Sequence, residues 1–299
     1  MSAPGLLLSV VVTARDRAEG VRKLFGSLRQ QTLPPESFEL VLVDDGSTDG
    51  VAEVAGEFGS SLPLVYSYQR PAGRMSARLH GLYRARGQAI LRLEPDDVAP
   101  PGLLGAHHAF HEARGERNAG LVGPLLPTAD LRSDRAAVAL RRADPLLSRA
   151  ARQRRNGPVD LRECWSARWS FKRAFVVELH GPIQGRVTGG HDLELAVRMR
   201  DEGLKLEFSE AAACWSGERI ELAAARRRMS CLGEAAARLA AARPKWRMGP
   251  WLGVPPGWWL LAPLARLGPG PGAALRASLL AGLGQASRDH GPGIGGTPS

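Results

Sequence analysis

RGQAILRLEPDDVAPPGLL, Arg86 to Leu104, joins a short apolar run to a cluster of acids. Ala89, Ile90, Leu91 and Leu93 read as a buried strand, and Glu94, Asp96 and Asp97 follow at once, before Pro100 and Pro101 close the segment. In open α/β sheets ligands sit at the carboxyl ends of the strands, so acids delivered there are placed to hold a divalent cation. The same residues also read as a strand running into a solvated acidic turn.

The chain before this stretch repeats one pattern. Leu6 to Val12 is a continuous leucine and β-branched run of the kind buried on both faces of a parallel sheet, and it ends in Thr13-Ala14-Arg15-Asp16-Arg17. Val21, Leu24, Phe25 and Leu28 then recur at helical spacing until Pro34-Pro35. Phe38 to Val43 is a second buried strand, leading into Asp44-Asp45-Gly46-Ser47-Thr48-Asp49-Gly50. Gly46 supplies backbone freedom there, and Ser47, Thr48 or Asp49 is expected to cap a helix from about Val51. A cap needs one polar residue, and this loop has two acids more. An ionised carboxylate only accepts hydrogen bonds, so tandem acids suit a base N–H or ribose hydroxyls. Leu64 to Tyr68 is a third, weaker strand. Met75, Leu79, Leu82 and Tyr83 mark a helix with Arg74 and Arg78 near its first turn, where guanidinium groups and the helix dipole can receive phosphate oxygens. Solvated arginines are the plainer reading of both. Strands alternating with helices predict an α/β fold with a mostly parallel sheet.

Farther along, Leu103 to Ala113 predicts a helix carrying His107, His108 and His111. An i, i+4 histidine pair can ligate zinc, but no HExxH pattern accompanies it and the neighbouring acids favour a hard cation. Leu121 to Leu126 is a short strand. Residues 127–160 scatter arginines among alanines and leucines, and read either as an acceptor-binding or membrane-facing insertion or as a solvated helix pair. Trp165 to Phe175 is denser in apolar residues. Gly189-Gly190 run into His191-Asp192 and a helix, placing Asp192 at a helix N-terminus, where the dipole favours an ionised carboxylate; a simple N-cap is the other reading. Leu204 to Phe208 is a last strand and Leu222 to Arg243 a long helix. The tail divides at 221, and Trp246, Trp251, Trp258 and Trp259 stand among Arg243, Lys245 and Arg247. Residues 243–260 therefore suit peripheral contact with a membrane interface, or a segment folded back over apolar surface.

Composition narrows the partners. Over 299 residues the formal charge is +10, carried almost wholly by arginine, which favours anionic ligands. Nucleic acid is not expected, because no helix-turn-helix, zinc-finger or aromatic RNA-binding pattern accompanies the charge. Three cysteines without CxxC spacing suggest neither a disulfide framework nor a zinc site and fit a reducing compartment. With no basic n-region before Leu6 and no apolar span of about 20 residues, the expectation is a cytoplasmic protein, peripheral at most to the inner face of the plasma membrane.

As a set, four blocks resemble the family 2 inverting glycosyltransferases of GT-A fold over roughly residues 6–220: SVVVTARDR from Ser9, VLVDDGSTDG from Val41, GRMSARLHGLYRARGQAILRLEPDD from Gly73 and GGHDLELAVRMRDEGLKL from Gly189. The resemblance implies a Rossmann-like sheet with a nucleotide-sugar donor, UDP-linked by family default, and transfer to an acceptor hydroxyl in cell-surface polysaccharide, glycolipid or natural-product glycosylation. It implies Ala14, Arg15, Asp16, Asp44 and Asp45 around base and ribose, and Arg78 near the phosphates. Glu94 and Asp96 match the DxD acids that bind Mn²⁺ or Mg²⁺, Asp97 the acid often found after them, and Asp192 the base. Glu94 replaces the usual first aspartate, His191 stands where glutamate is common and Leu79 where asparagine is. No histidine matches the one many relatives carry near Cys214-Trp215. These departures leave open a second reading, a binding or scaffold protein that keeps the fold without the catalysis.

Overall fold

The computed structural model describes residues 7–143, 156–160, 168–179, 191–219, 221–242, 274–281 and 283, with the backbone alone at 141–143, 191–194 and 241–242. The first half runs β1 (Leu8–Ala14), α1 (Ala18–Leu28), β2 (Phe38–Asp44), α2 (Val51–Phe58), β3 (Leu64–Tyr68), α3 (Arg74–Arg84) and β4 (Ala89–Leu93). It continues through β5 (Asp97–Val98), α4 (Leu103–Ala113), β6 (Ala119–Val122), β7 (Leu125–Pro127), α5 (Ala129–Ser133) and α6 (Arg135–Ala143). The second half has β8 (Gly157–Pro158), β9 (Trp169–Lys172), α7 (Arg173–Leu179), α8 (His191–Asp201), β10 (Lys205–Phe208), β11 (Cys214–Ser216) and α9 (Leu222–Ala242).

The uninterrupted apolar runs of β1 and β2 are buried along nearly their whole length because helices cover both faces of the sheet. Alternation sorts their side chains. Val10, Val12, Leu40, Leu42 and Leu91 pack with Leu24 and Phe25 of α1, Val54 of α2 and Leu103 of α4. Val11, Val41, Val43 and Ile90 pack on the other face with Ala77 of α3, Leu195 and Met199 of α8, and Met229 and Ala236 of α9. Leu275, Leu279 and Leu283 join this second cluster, so part of the tail covers the same face. Residues 243–260 and most of 144–167 lie outside the described residues.

The main sheet has the order β3-β2-β1-β4-β9-β6-β10-β8. The strands from β3 to β4 are mutually parallel, whereas β9 is antiparallel to both β4 and β6, and β8 antiparallel to β10. At the sheet edge where β1 begins, buried Glu39 accepts hydrogen bonds from Ser9 Oγ and from the amides of Arg86 and Gly87, which fixes the entry to β4 beside β1 and β2.

Three details differ from the sequence expectation. The stretch from Leu121 to Leu126 is two strands, because the chain leaves the main sheet at Gly123-Pro124 and enters a smaller sheet of order β5-β11-β7. There the backbone of Ala212 crosses so closely that a Cβ on Gly123 would lie 1.8 Å from its carbonyl oxygen. The dense region around Phe171 supplies the antiparallel strand β9, and Cys214 to Ser216 forms β11. Both owe their pairing to distant partners, Ile90 to Phe171 and Asp97 to Ser216.

His107 and His111 are core residues, and among the described residues neither belongs to a group of three or more histidine, cysteine or acidic side chains that could hold a metal. Both face Ser170 of β9, whose Oγ lies 2.7 Å from His107 Nδ1 and 2.8 Å from His111 Nε2. Burial, joined at His111 by the charge of Lys172 and the other histidines, pushes each ring down to about 3. The folded state thus keeps both rings neutral while the unfolded chain takes up protons near pH 6.5, so stability is lost as pH falls below about 6.5 and until about 3. At pH 5 the loss is of the order of 2 kcal/mol per ring, visible in denaturant titrations, and replacing both with Asn and Gln flattens that slope. Gly123→Ala forces the Ala212 carbonyl aside and lowers stability by about 3 kcal/mol in the same assay.

Candidate active site

The carboxyl ends of β1, β2 and β4 lie side by side, since Ala14 is opposite Asp44 and Val12 opposite Leu93. The loops that follow β1 and β2 are tied to each other at several points. The amide of Asp45 donates to the Ala14 carbonyl at 2.9 Å. Asp16, in the left-handed region at φ 50, donates its amide to Ser47 Oγ at 3.0 Å and accepts at Oδ1 from the Thr48 amide at 2.9 Å. The amide of Ala18 donates to Asp49 Oδ2 at 2.8 Å. Ser47, Thr48 and Asp49 therefore tie the two loops, and none caps α2, whose N-cap is Gly50.

Asp44 and Asp45 are 2% and 4% exposed, and both use their carboxylates inside this framework. Asp44 Oδ1 accepts from the Ser47 amide at 2.7 Å and Oδ2 from the Tyr66 hydroxyl at 2.8 Å. Asp45 Oδ1 accepts from Gln69 Nε2 at 2.7 Å and the Ala72 amide at 2.8 Å, and Oδ2 from the Gly73 amide at 3.0 Å. Gly46, at φ 78, turns the chain between Asp45 and Ser47. Asp45 in this way fixes the approach to α3, which carries Arg74 and Arg78. Ala14 is buried beside these groups and Arg15 is exposed at the rim.

The acidic turn after β4 separates its three carboxylates. Asp97 is fully buried, accepts the Glu94 amide at 2.8 Å, and is gripped through both oxygens by Arg168, with Nη2 to Oδ1 at 2.9 Å. Burial pushes the Asp97 carboxyl up while Arg168 pulls it back; the same contact keeps the Arg168 guanidinium charged against its own burial. Antiparallel β11 pairs with this turn, and the Gly217 amide donates to the Asp96 carbonyl at 2.7 Å. Glu94 Oε1 pairs with Arg78 Nη2 at 2.7 Å. Burial alone would raise the Glu94 carboxyl, but the charges of Arg78, Arg168, Arg74 and Arg92 outweigh it and hold it at about 2. The Asp96 side chain is 28% exposed and lies 3.9 Å from Arg17 Nη1, which links the acidic turn to the β1 loop.

Among the expected site residues, Ala14, Asp16, Asp44 and Asp45 thus share one framework, while Arg78, Glu94, Asp96 and Asp97 share the turn beside it. His191 and Asp192 open α8, and their side chains lie outside the described residues. Sequence reading missed Tyr66, Arg17 and Arg168. Arg168 gave no local signal, because its partner is 71 positions away. Among the described residues no group of three or more histidine, cysteine or acidic side chains comes close enough together to hold a metal ion. Glu94 and Asp96 provide hard oxygen donors of the kind that hold a cation finishing its shell with water and phosphate.

Known proteins with this arrangement agree in fold. The chain superposes with TM-score 0.60 on a mannosyltransferase from Pyrobaculum calidifontis solved with GDP-Man and Mn²⁺, at 17% identity over 96% of this chain and 89% of that one. It superposes with TM-score 0.59 on S. aureus TarS 1-349 in complex with UDP-GlcNAc, at 15% identity over 95% and 91%. In sequence it is 26% identical over 207 residues to the glycosyltransferase AglE of Haloferax volcanii, covering 68% of this chain and 64% of that protein. It is 35% identical over 107 residues to validoxylamine A glucosyltransferase of Streptomyces hygroscopicus subsp. limoneus, covering 35% of this chain and 24% of that protein. The chain therefore spans less than two thirds of these relatives' length. Residues 9–173 match the sequence profile of glycosyl transferase family 2, and the chain belongs to that family.

Proposed function

We propose that the chain transfers a sugar from a nucleotide-sugar donor to an acceptor hydroxyl, with inversion at the anomeric carbon. The observation that carries this reading is the meeting of three strand ends at one edge, which sets an ionised Glu94–Arg78 pair beside a rigid loop framework rich in hydrogen-bond acceptors. In this reading base and ribose lie against Ala14, Arg15, Asp16, Asp44 and Asp45. Arg78, with Arg74 at the start of the 11-residue helix α3, receives the diphosphate at a helix N-terminus.

Glu94 and Asp96 are the residues that would hold Mn²⁺ or Mg²⁺, which when bound supplies positive charge to the leaving diphosphate. Asp97 holds the turn in place through Arg168 and leaves ligation to its two neighbours. Asp192, in the first turn of α8, is the base. The N-terminus of a helix favours an ionised carboxylate, and in this reading such a carboxylate takes the proton of the attacking hydroxyl as the new C–O bond forms. Attack from the face opposite the diphosphate inverts the anomeric centre. A uridine donor is supported by the family resemblance and by the UDP-GlcNAc complex of a structural neighbour, although another neighbour binds GDP-Man. A natural-product acceptor is supported by the name of the validoxylamine A glucosyltransferase relative, polysaccharide and glycolipid acceptors by the family resemblance, and 243–260 is proposed as a peripheral contact at the cytoplasmic face of the membrane.

Calorimetry with UDP and Mn²⁺ tests the donor site. The parent binds in a metal-dependent manner, and Asp96→Ala loses that dependence together with at least tenfold in affinity. A parent that binds no UDP, GDP or dTDP with either metal contradicts the proposal and favours the scaffold reading. Asp192→Asn leaves nucleotide affinity in place and lowers kcat by about 10²- to 10⁴-fold in transfer or donor-hydrolysis assays.

A further inference from the structure

Asp44 is the buried acceptor best placed to read a nucleobase in the proposed site, yet each of its oxygens already has a donor. The two bonds differ in kind. The donor at Oδ1 is a main-chain amide, that of Ser47, in a loop whose side chains bond to the β1 loop, so it cannot leave without undoing the framework. The donor at Oδ2 is the hydroxyl at the tip of the Tyr66 side chain. Tyr66 comes from β3, at the end of the main sheet. It pairs with Leu42 in register and reaches diagonally along the same face to Asp44, which is itself opposite Tyr68.

Tyr66 is 37% exposed and Tyr68 56%, so this face of the strand presents two aromatic rings to solvent beside the framework. A side chain with one flank in solvent can swing away from Asp44, while the carboxylate, 2% exposed, stays where it is. Burial and the bond to Asp44 raise the Tyr66 phenol well above its ordinary value, so the hydroxyl keeps its proton and remains a donor.

We infer that Tyr66 competes with the base for Asp44: its hydroxyl holds the place on Asp44 Oδ2 that the imide N–H of a uracil- or guanine-type base takes when the donor binds. This rests on the proposed donor site. The exchange is of one donor for another, so the buried carboxylate is never left unsatisfied. Cytosine presents a lone pair at the same ring position and would set an acceptor against an acceptor, which a buried carboxylate rejects.

The test compares Tyr66→Phe with the parent by calorimetry, using UDP and CDP as probes with Mn²⁺ present and circular dichroism to confirm folding. Removing the competing hydroxyl should tighten UDP roughly tenfold and leave CDP within about twofold. An unchanged or weakened UDP affinity, or equal tightening of both nucleotides, overturns the inference while leaving the donor-site proposal intact. A parent that binds neither nucleotide brings down the donor-site proposal, and this one with it. A second measurement needs no variant. In the parent labelled with ¹³C at tyrosine Cζ, which has three tyrosines, the Tyr66 resonance should shift as UDP saturates the site. A resonance unmoved by saturating UDP also overturns the inference.

Discussion

The parallel register of β2, β1 and β4 is the constraint from which the rest follows. Parallel neighbours cannot be joined by tight hairpins, so each connection crosses back over a face through a helix, and the carboxyl ends of the three strands come out together. Apolar side chains occupy both faces of these strands, which leaves the edge as the place where polar chemistry collects. The register sets Ala14 against Asp44 and Val12 against Leu93, so the β1 loop, the tandem acids and the acidic turn begin within a few residues of one another in space. No single loop has to reach far.

A framework built this way must hold its loops without help from regular structure, and side-chain to backbone bonds do that work. Asp16, Asp45 and Asp49 each accept main-chain amides from a different loop, and Asp97 accepts the Glu94 amide within its own turn. The acids here have two roles. Those buried against amides or Arg168 fix geometry, whereas Glu94 pairs with Arg78 and Asp96 is 28% exposed beside Arg17. A fully buried Asp97 would be costly alone. With Arg168 across both oxygens it becomes a post around which Glu94 and Asp96 are displayed, and β11 braces the turn from the other side.

Much of this was legible in the residues themselves. The apolar runs of β1, β2 and β4 declared their burial, the spacing of Val21, Leu24, Phe25 and Leu28 matched the buried face of α1, and α2 and α3 start at or within a residue of where the periodicity placed them. What was not legible depended on partners distant in the chain. The sequence around Trp169 carries no sign that it pairs antiparallel between β4 and β6. Leu121 to Leu126 gives no hint that Gly123 must make way for the backbone of Ala212. Ser47, Thr48 and Asp49 have the composition of a helix cap. They serve another loop instead: Ser47 Oγ accepts the Asp16 amide, Asp49 the Ala18 amide, and the Thr48 amide donates to Asp16. His107 and His111, which by spacing suit a metal, answer to Ser170, a residue of a strand the sequence did not announce.

The departure at Glu94 has a physical account in the same terms. An aspartate at the end of β4 would carry its carboxylate about 1.5 Å closer to the backbone, the length of one C–C bond. The longer side chain spans the gap to α3 and meets Arg78 at 2.7 Å, so the strand end and α3 are joined by an ion pair largely shielded from solvent. That pair does two things that an isolated acid could not. It fixes Arg78 over the edge where the proposed diphosphate lies, and it keeps the glutamate ionised although burial alone would favour its protonation. When an anion arrives, Arg78 can divide its donors between Glu94 and a phosphate oxygen, because a guanidinium has five N–H groups in a fixed fork. The exchange resembles the one inferred at Asp44. In both places a buried or paired carboxylate has a donor of the protein's own, Tyr66 at Asp44 and Arg78 at Glu94, and in the proposed site that donor is the one a ligand would replace or share.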